Sequence, residues 1–223
     1  MKNGARKYFD IEKIHQNYKL VIADFDRING LIDCKRDTFD SVIAANMLHA
    51  YDHINHHLSS PENALLSWQD MLELNIIVHF GIRPESRGKY DGFIKHTEKR
   101  FAALFPSLME WYERHEHRED NPYKIAAGLY VRVLAHPQLF VEGNHRTGSL
   151  IISYYLLIKG RDPFVLTPDN AVEFFNLASD VKFKKEDIGS KFKRAIGWHD
   201  ELARMRAFLE ANVQPFTTDV MPH

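Results

Sequence analysis

Residues 136–148 read His136-Pro137-Gln138-Leu139-Phe140-Val141-Glu142-Gly143-Asn144-His145-Arg146-Thr147-Gly148, and this stretch decides how the rest of the chain is read. It joins two runs with helical periodicity. Tyr123 to Ala135 is small and apolar enough at Ala126, Ala127 and Gly128 to pack closely, and Thr147 to Lys159 is apolar nearly all round. A helix that is apolar on every side is surrounded by others, so the joining loop belongs at the centre of a bundle. Yet the loop carries a carboxylate, two amides, two imidazoles and a guanidinium. A loop in such a place must satisfy its own backbone polar groups.

Gly143 frees the chain to turn and present successive N–H groups. The helix beginning near Thr147 aims its unpaired N–H groups and positive dipole end at the same spot. With Arg146 they make an anion site suited to phosphate. Glu142, just before this nest, is placed to hold a divalent cation bridging phosphate oxygens. The His136 imidazole suits general-base chemistry near neutral pH. The same residues also admit a plainer reading, in which Glu142, Asn144 and Arg146 supply turn and cap chemistry, Arg146 pairs with Glu142, and His136 is structural. The spacing alone leaves both open.

Working outward, the spacing predicts helices over Tyr18–Ile32, with Leu20, Ile22, Phe25, Ile28 and Leu31 near a 3.6 period, and over Thr38–Leu58, capped by Asp37 or Thr38. The buried stripe of the second is Phe39, Val42, Ile43, Met47, Ala50, Tyr51 and Ile54. Leu65–Phe80 is a third helix, closed by Gly81. Arg83 to Phe93 carries Pro84, Gly88 and Gly92 among polar residues and reads as a hairpin or an irregular loop. Helical periodicity resumes over Ile94–Glu113, then His115–Pro122 is a solvated connection. Shorter helices follow the motif at Pro168–Ser179, Lys185–Ile196 and Trp198–Ala211, and the tail from Asn212 is expected to be loose. The fold class is all-α, an irregular helical bundle with one polar interruption near residue 90. The expected organisation is a single compact unit: an N-terminal helical extension (1–37), a core (38–183), and C-terminal helices with a tail (184–223).

The 223 residues balance 29 Lys and Arg against 30 Asp and Glu, which argues against a general nucleic-acid binder. Cys34 is the one cysteine, so no intramolecular disulfide can form and a reducing compartment fits. The first thirteen residues hold no apolar run of signal-peptide length, and Leu150 to Ile158 is about half of what a membrane span needs. A soluble, cytoplasmic protein is expected. Thirteen histidines invite a metal reading, but most lie in polar helical stretches, as at His53, His56 and His57, and no HExxH or paired CxxC occurs.

Phe140-x-Glu142-Gly143-Asn144-x-Arg146 resembles the core of the Fic family motif, H-P-F-x-(D/E)-G-N-x-R-x-x-R. The flanking helices agree, and the similarity spans roughly Thr38 to Phe183. The resemblance implies a Fic-type bundle with a small β-hairpin flap and transfer of AMP from ATP to a hydroxyl of a target protein. In it a histidine, here His136, deprotonates the hydroxyl, and Glu142 holds Mg²⁺ between the α- and β-phosphates. Gly143, Asn144, His145, Arg146, Thr147 and Gly148 form the nucleotide-binding turn, and Phe140 anchors the loop. The flap, at Lys89, Tyr90, Asp91, Gly92 and Phe93, clamps the target backbone by strand pairing. The partner implied is an unidentified target protein; no membrane or nucleic acid is implied, and a homodimer stays open.

Three departures matter. The family's histidine position, two before the phenylalanine, is Gln138, with His136 two residues further upstream. His145 stands between the asparagine and arginine and reads as an exposed side chain, with phosphate contact or an alternative base as its other roles. Ser149 replaces the second arginine, which in the family grips the outer phosphate and pairs with a glutamate on an inhibitory helix. The nearest counterpart of that helix, Asp40 to Asn46, has Ala44 where the glutamate would be. If that counterpart holds, both partners of the inhibitory ion pair are missing together, and the usual autoinhibition is not expected. The missing arginine also leaves room for the family's other reactions, the transfer of phosphocholine, UMP or phosphate.

Overall fold

In the computed structural model, which describes residues 7–36, 38–59, 65–183 and 198–221, ten helices and two short strands follow the chain. They run β1 (Tyr8–Phe9), α1 (Ile11–Ala23), α2 (Phe25–Leu31), α3 (Ser41–Leu58), α4 (Trp68–Phe80), α5 (Pro84–Lys89), α6 (Asp91–His117), α7 (Pro122–Leu134), α8 (Asn144–Ile158), α9 (Ala171–Phe183), α10 (His199–Asn212) and β2 (Thr217–Thr218). The fold is mostly helical, as the periodicity predicts. No described helix is long and apolar enough to cross a membrane.

At the centre, α8 lies against α7, α4 and α3, while α10 crosses α7. From Thr147 to Leu157 every residue of α8 is buried, which explains the absence of a polar face in its sequence. Close approach of α7 and α8 depends on Gly148. A methyl group there would meet the Tyr130 ring at 3.0 Å and Val133 at 3.3 Å, tight enough that the helices would have to part.

Local chemistry sets the helix ends. Asp40, rather than Thr38, caps α3, its Oδ1 accepting from the N–H groups of Val42 and Ile43, both at 2.9 Å; Asp37 lies outside the described residues. Ser67 and Asp70 form a capping box at the start of α4. Thr167 and Asn170 exchange side chain–backbone bonds that delay α9 to Ala171. The stretch expected as one helix over Tyr18–Ile32 is two, meeting at Asp24. Leu20, Leu31 and Val42, counted into apolar stripes, are exposed; Ile14, Tyr18, Val21 and Ala44 face the core instead. The helix expected at Lys185–Ile196 falls outside the described residues.

Two expectations are overturned. Lys89 to Phe93 form no hairpin: Lys89 ends α5, Tyr90 links the helices, and Asp91, Gly92 and Phe93 open α6. Pro84 occupies the first turn of α5, where a missing N–H costs nothing, so it starts a helix rather than breaking one. Asp91 pairs with Lys95 one turn on, and Phe93 packs on His79 and Phe80, which settles the helix despite Gly88 and Gly92. The small antiparallel sheet instead ties the chain ends, Tyr8 opposite Thr218 and Phe9 opposite Thr217. The tail is therefore docked over residues 212–218. Asn55 on α3 fixes the facing strand β1, its side chain accepting from Phe9 N at 2.8 Å and donating to Phe9 O at 3.0 Å, and Phe216 of the tail is buried.

Candidate functional site

The loop after α7 is pinned from below by Phe140, which is fully buried and stacked on Phe101 with ring centroids 4.9 Å apart. Asn144 closes it. Its side chain accepts from Phe140 N at 2.8 Å and donates to Phe140 O at 2.9 Å, so the amide that the sequence suggests for ligand contact braces the turn. Gly143 takes φ +76°, ψ 8°, a left-handed conformation that glycine adopts freely. Asn75 on α4 holds the turn from the side, donating to Glu142 O at 2.8 Å and Thr147 Oγ1 at 3.0 Å.

The first intrahelical bond of α8 runs from Thr147 N to Gly143 O at 2.9 Å, and among the described residues no side chain caps the helix. The N–H groups of Asn144, His145 and Arg146 therefore precede the hydrogen-bonded ladder and gather at the positive dipole end. Thr147 and Gly148 lie one turn deeper, both buried. Arg146 makes no ion pair with Glu142 among the described residues, so the salt bridge of the plainer reading is not formed. It donates instead through Nη1 to Val78 O at 2.7 Å, and Nη2 stands 3.4 Å from His79 Nδ1. A guanidinium has five donors, so these two bonds orient the group and leave others for a ligand. Burial lowers the Arg146 pKa from the usual arginine value, opposed by the nearby charges of Glu142 and Asp40. Glu142 itself is exposed.

His79, which the sequence did not single out, is held below the usual histidine value, first by burial and then by the Arg146 charge, with Glu142 opposing. A neutral ring that accepts at Nδ1 from Arg146 carries its proton on Nε2. His79 also stacks on Phe93, centroids 5.3 Å apart. It lines a groove of about 770 Å³ bounded by Ser41, Asn46, Phe80, Ile82 and Tyr90. Val42, Ile82 and Tyr90, among the few large apolar side chains left exposed, all line it.

His145 is not the exposed side chain expected. Its Nε2 lies 3.3 Å from Arg36 Nη1 and its Nδ1 3.3 Å from Tyr130 Oη. Since Arg36 can only donate, Nε2 accepts and Nδ1 carries the proton to Tyr130. Burial, followed by the charge of Arg36, pushes the ring's pKa down to about 3. A base facing a guanidinium in this way is already engaged. Arg36 continues to Ser179 Oγ at 3.0 Å, tying the start of α8 to α9. His136 is exposed on the loop, and among the described residues it makes no hydrogen bond or ion pair. Gln138 is half-buried. Ser149 turns its hydroxyl back on its own helix, donating to Arg146 O at 2.8 Å, and Ala44 is buried in α3.

The sequence itself matches no protein-family model and no curated protein. Among solved structures, the chain is similar to a Fic domain-containing signaling protein from Bacteroides thetaiotaomicron VPI-5482, with a TM-score of 0.53 over 91% of this chain and 93% of that one, at 16% identity. That likeness shows that the chain has a Fic-like fold.

Proposed function

We propose that the chain is a protein adenylyltransferase, moving AMP from ATP to a hydroxyl side chain of another protein. The observation that carries this reading is the start of α8. Three amide N–H groups precede the helical ladder beside a left-handed glycine, next to an arginine that α4 orients and that forms no ion pair among the described residues. Such a constellation stabilises negative oxygens that develop charge during phosphoryl chemistry. Glu142 is exposed one residue before these donors, and one carboxylate with substrate phosphates and water is a normal Mg²⁺ environment. Bound there, the ion would neutralise phosphate charge.

The protein's own groups would do the rest. The amides of Asn144, His145 and Arg146 and the Arg146 guanidinium hold the phosphates. The apolar lining of the groove beside His79 suits a planar base or a target segment, within the usual size of ligand pockets. His136 would take the proton of the target hydroxyl as its oxygen attacks the α-phosphorus and pyrophosphate leaves. No hairpin edge lies at Lys89–Phe93, so the target would be held by the walls of this groove, Tyr90 included, rather than by strand pairing.

A second reading, a nucleotide-binding protein without transferase activity, is favoured by the neutral amide of Gln138 at the histidine position of the motif and by the exposure of His136. Incubation with α-labelled ATP and Mg²⁺, with UTP and CDP-choline in parallel, separates the readings. Label transferred to the chain or a lysate protein and abolished by His136→Ala supports the enzyme. Binding without transfer supports the second reading, and no binding contradicts both.

A further inference from the structure

Away from the motif loop, α3 and α4 bring three donor atoms to one point. His53 and His57 stand one turn apart on α3, their Nε2 atoms 3.3 Å apart, and Asp70 Oδ1 in the first turn of α4 lies 3.1 Å from His57 Nε2. All three atoms lie within 4.8 Å of one another, and all three side chains are partly buried. We propose that His53, His57 and Asp70 form a binding site for a zinc-type divalent transition-metal ion that staples α3 to α4.

Two features of the geometry favour a cation over a set of ordinary hydrogen bonds. Ligand atoms around a tetrahedral ion with bonds of about 2.0–2.1 Å stand about 3.3–3.4 Å apart; the two imidazole nitrogens match that edge at 3.3 Å, and Asp70 Oδ1 lies slightly inside it at 3.1 Å. Without an ion, the single Nε2 proton of a neutral His57 cannot serve both short contacts in full. If that proton points to Asp70, His53 Nε2 is the bare nitrogen of the Nδ1–H tautomer and at best shares it. If His53 donates instead, the His57 lone pair is shared with that donor while facing a carboxylate oxygen. A divalent ion satisfies all three lone pairs at once, with both rings neutral and protonated on Nδ1.

The surroundings fit a ligand role. Asp70 Oδ2 is held by Ser67, from N at 3.0 Å and from Oγ at 2.6 Å, which leaves Oδ1 turned to the histidines. This is the hydrogen-bonded carboxylate found behind many metal sites. Nitrogen and carboxylate donors select zinc and its neighbours over magnesium or calcium. A groove of about 350 Å³ lined by His49, His53, His56 and Glu73 opens beside His53, giving water access to a fourth position. Asp70 and Asn75 share α4, so an ion here would stiffen the helix that also holds the motif loop.

The test uses the full chain, stripped with a chelator and then titrated with Co²⁺ and Zn²⁺. One equivalent should bind, Co²⁺ should show the visible bands of a four-coordinate ion, and Zn²⁺ should raise Tm. His53→Gln, which leaves the Ser67–Asp70 cap intact, and His57→Gln should each weaken binding at least about tenfold, while His96→Gln, at an exposed position of α6, should match the wild type. Circular dichroism and Tm in chelator establish that each variant is folded, and His53→Gln decides if His57→Gln is not. Absence of a saturable equivalent in the wild type, or undiminished affinity in folded His53→Gln, overturns the proposal.

Discussion

Replacing Gly143 by alanine tests the turn at the point where every support meets. The residue sits at φ +76°, and an L-residue forced into the left-handed region costs about 1–2 kcal/mol. The new Cβ would stand 2.9 Å from Asn75 Nδ2 and 3.4 Å from Val78 Cγ2. The first distance is too short for van der Waals contact, so Asn75 must move. Its two bonds, to Glu142 O and Thr147 Oγ1, contribute about 0.5–1.5 kcal/mol each. Together these give a loss of about 2–5 kcal/mol, a large part of the roughly 5–15 kcal/mol that holds a domain folded. Urea unfolding followed by tryptophan fluorescence measures it. Asn75→Ala both removes the bonds and clears the space, so the two changes should be less than additive by about 1–3 kcal/mol in a double-mutant cycle. A Gly143→Ala protein within about 0.5 kcal/mol of wild type, or strict additivity, would refute the geometry of this turn.

Other consequences follow from neighbouring contacts. The folded pKa of His145 is pushed down to about 3, below that of an unfolded histidine. The native state therefore resists protonation while the unfolded chain accepts it. Stability is fully present above the unfolded value near 6.5 and declines as pH falls towards the folded value, by up to about 1.4 kcal/mol per pH unit. The difference between wild type and His145→Gln, measured by denaturant unfolding from pH 7 to pH 4, should show that slope; parallel curves would contradict it. Phe140→Ala should cost about 3–5 kcal/mol by emptying a fully buried site against Phe101, read as a lowered urea midpoint. Gly128→Ala should cost about 1–3 kcal/mol, because its Cβ would fall 2.1 Å from the Trp111 ring; a neutral Tm would show that this contact relaxes freely.

What could be read from the sequence was what is local. A turn with glycine, a preceding carboxylate and a following arginine announces itself within a dozen residues, as does an all-apolar helix such as α8. The side chains that complete the turn come from far away. Asn75 and the Val78 carbonyl lie 67 and 68 residues before their partners. One clue to Asn75 was available, an amide in the otherwise apolar run Leu74-Asn75-Ile76-Ile77-Val78, where a buried polar group implies a partner. Nothing near Arg36 announces His145, 109 residues away. The segment from Arg83 to Phe93 looks like a break in sequence because proline and glycine disfavour helix interiors, whereas Pro84 sits where a helix begins. The strands joining the chain ends have two residues each, too short for any alternation to show.

Titration of MgATP into the folded chain tests the central claim most directly, that the start of α8 and Arg146 hold nucleotide phosphate. Saturable one-to-one binding is predicted, weakening as salt rises and reduced about 10- to 100-fold in Arg146→Gln, the loss expected for one charged hydrogen-bonding group. A wild-type protein that is folded and binds no nucleotide, or an Arg146→Gln protein that binds it equally well, would contradict the account.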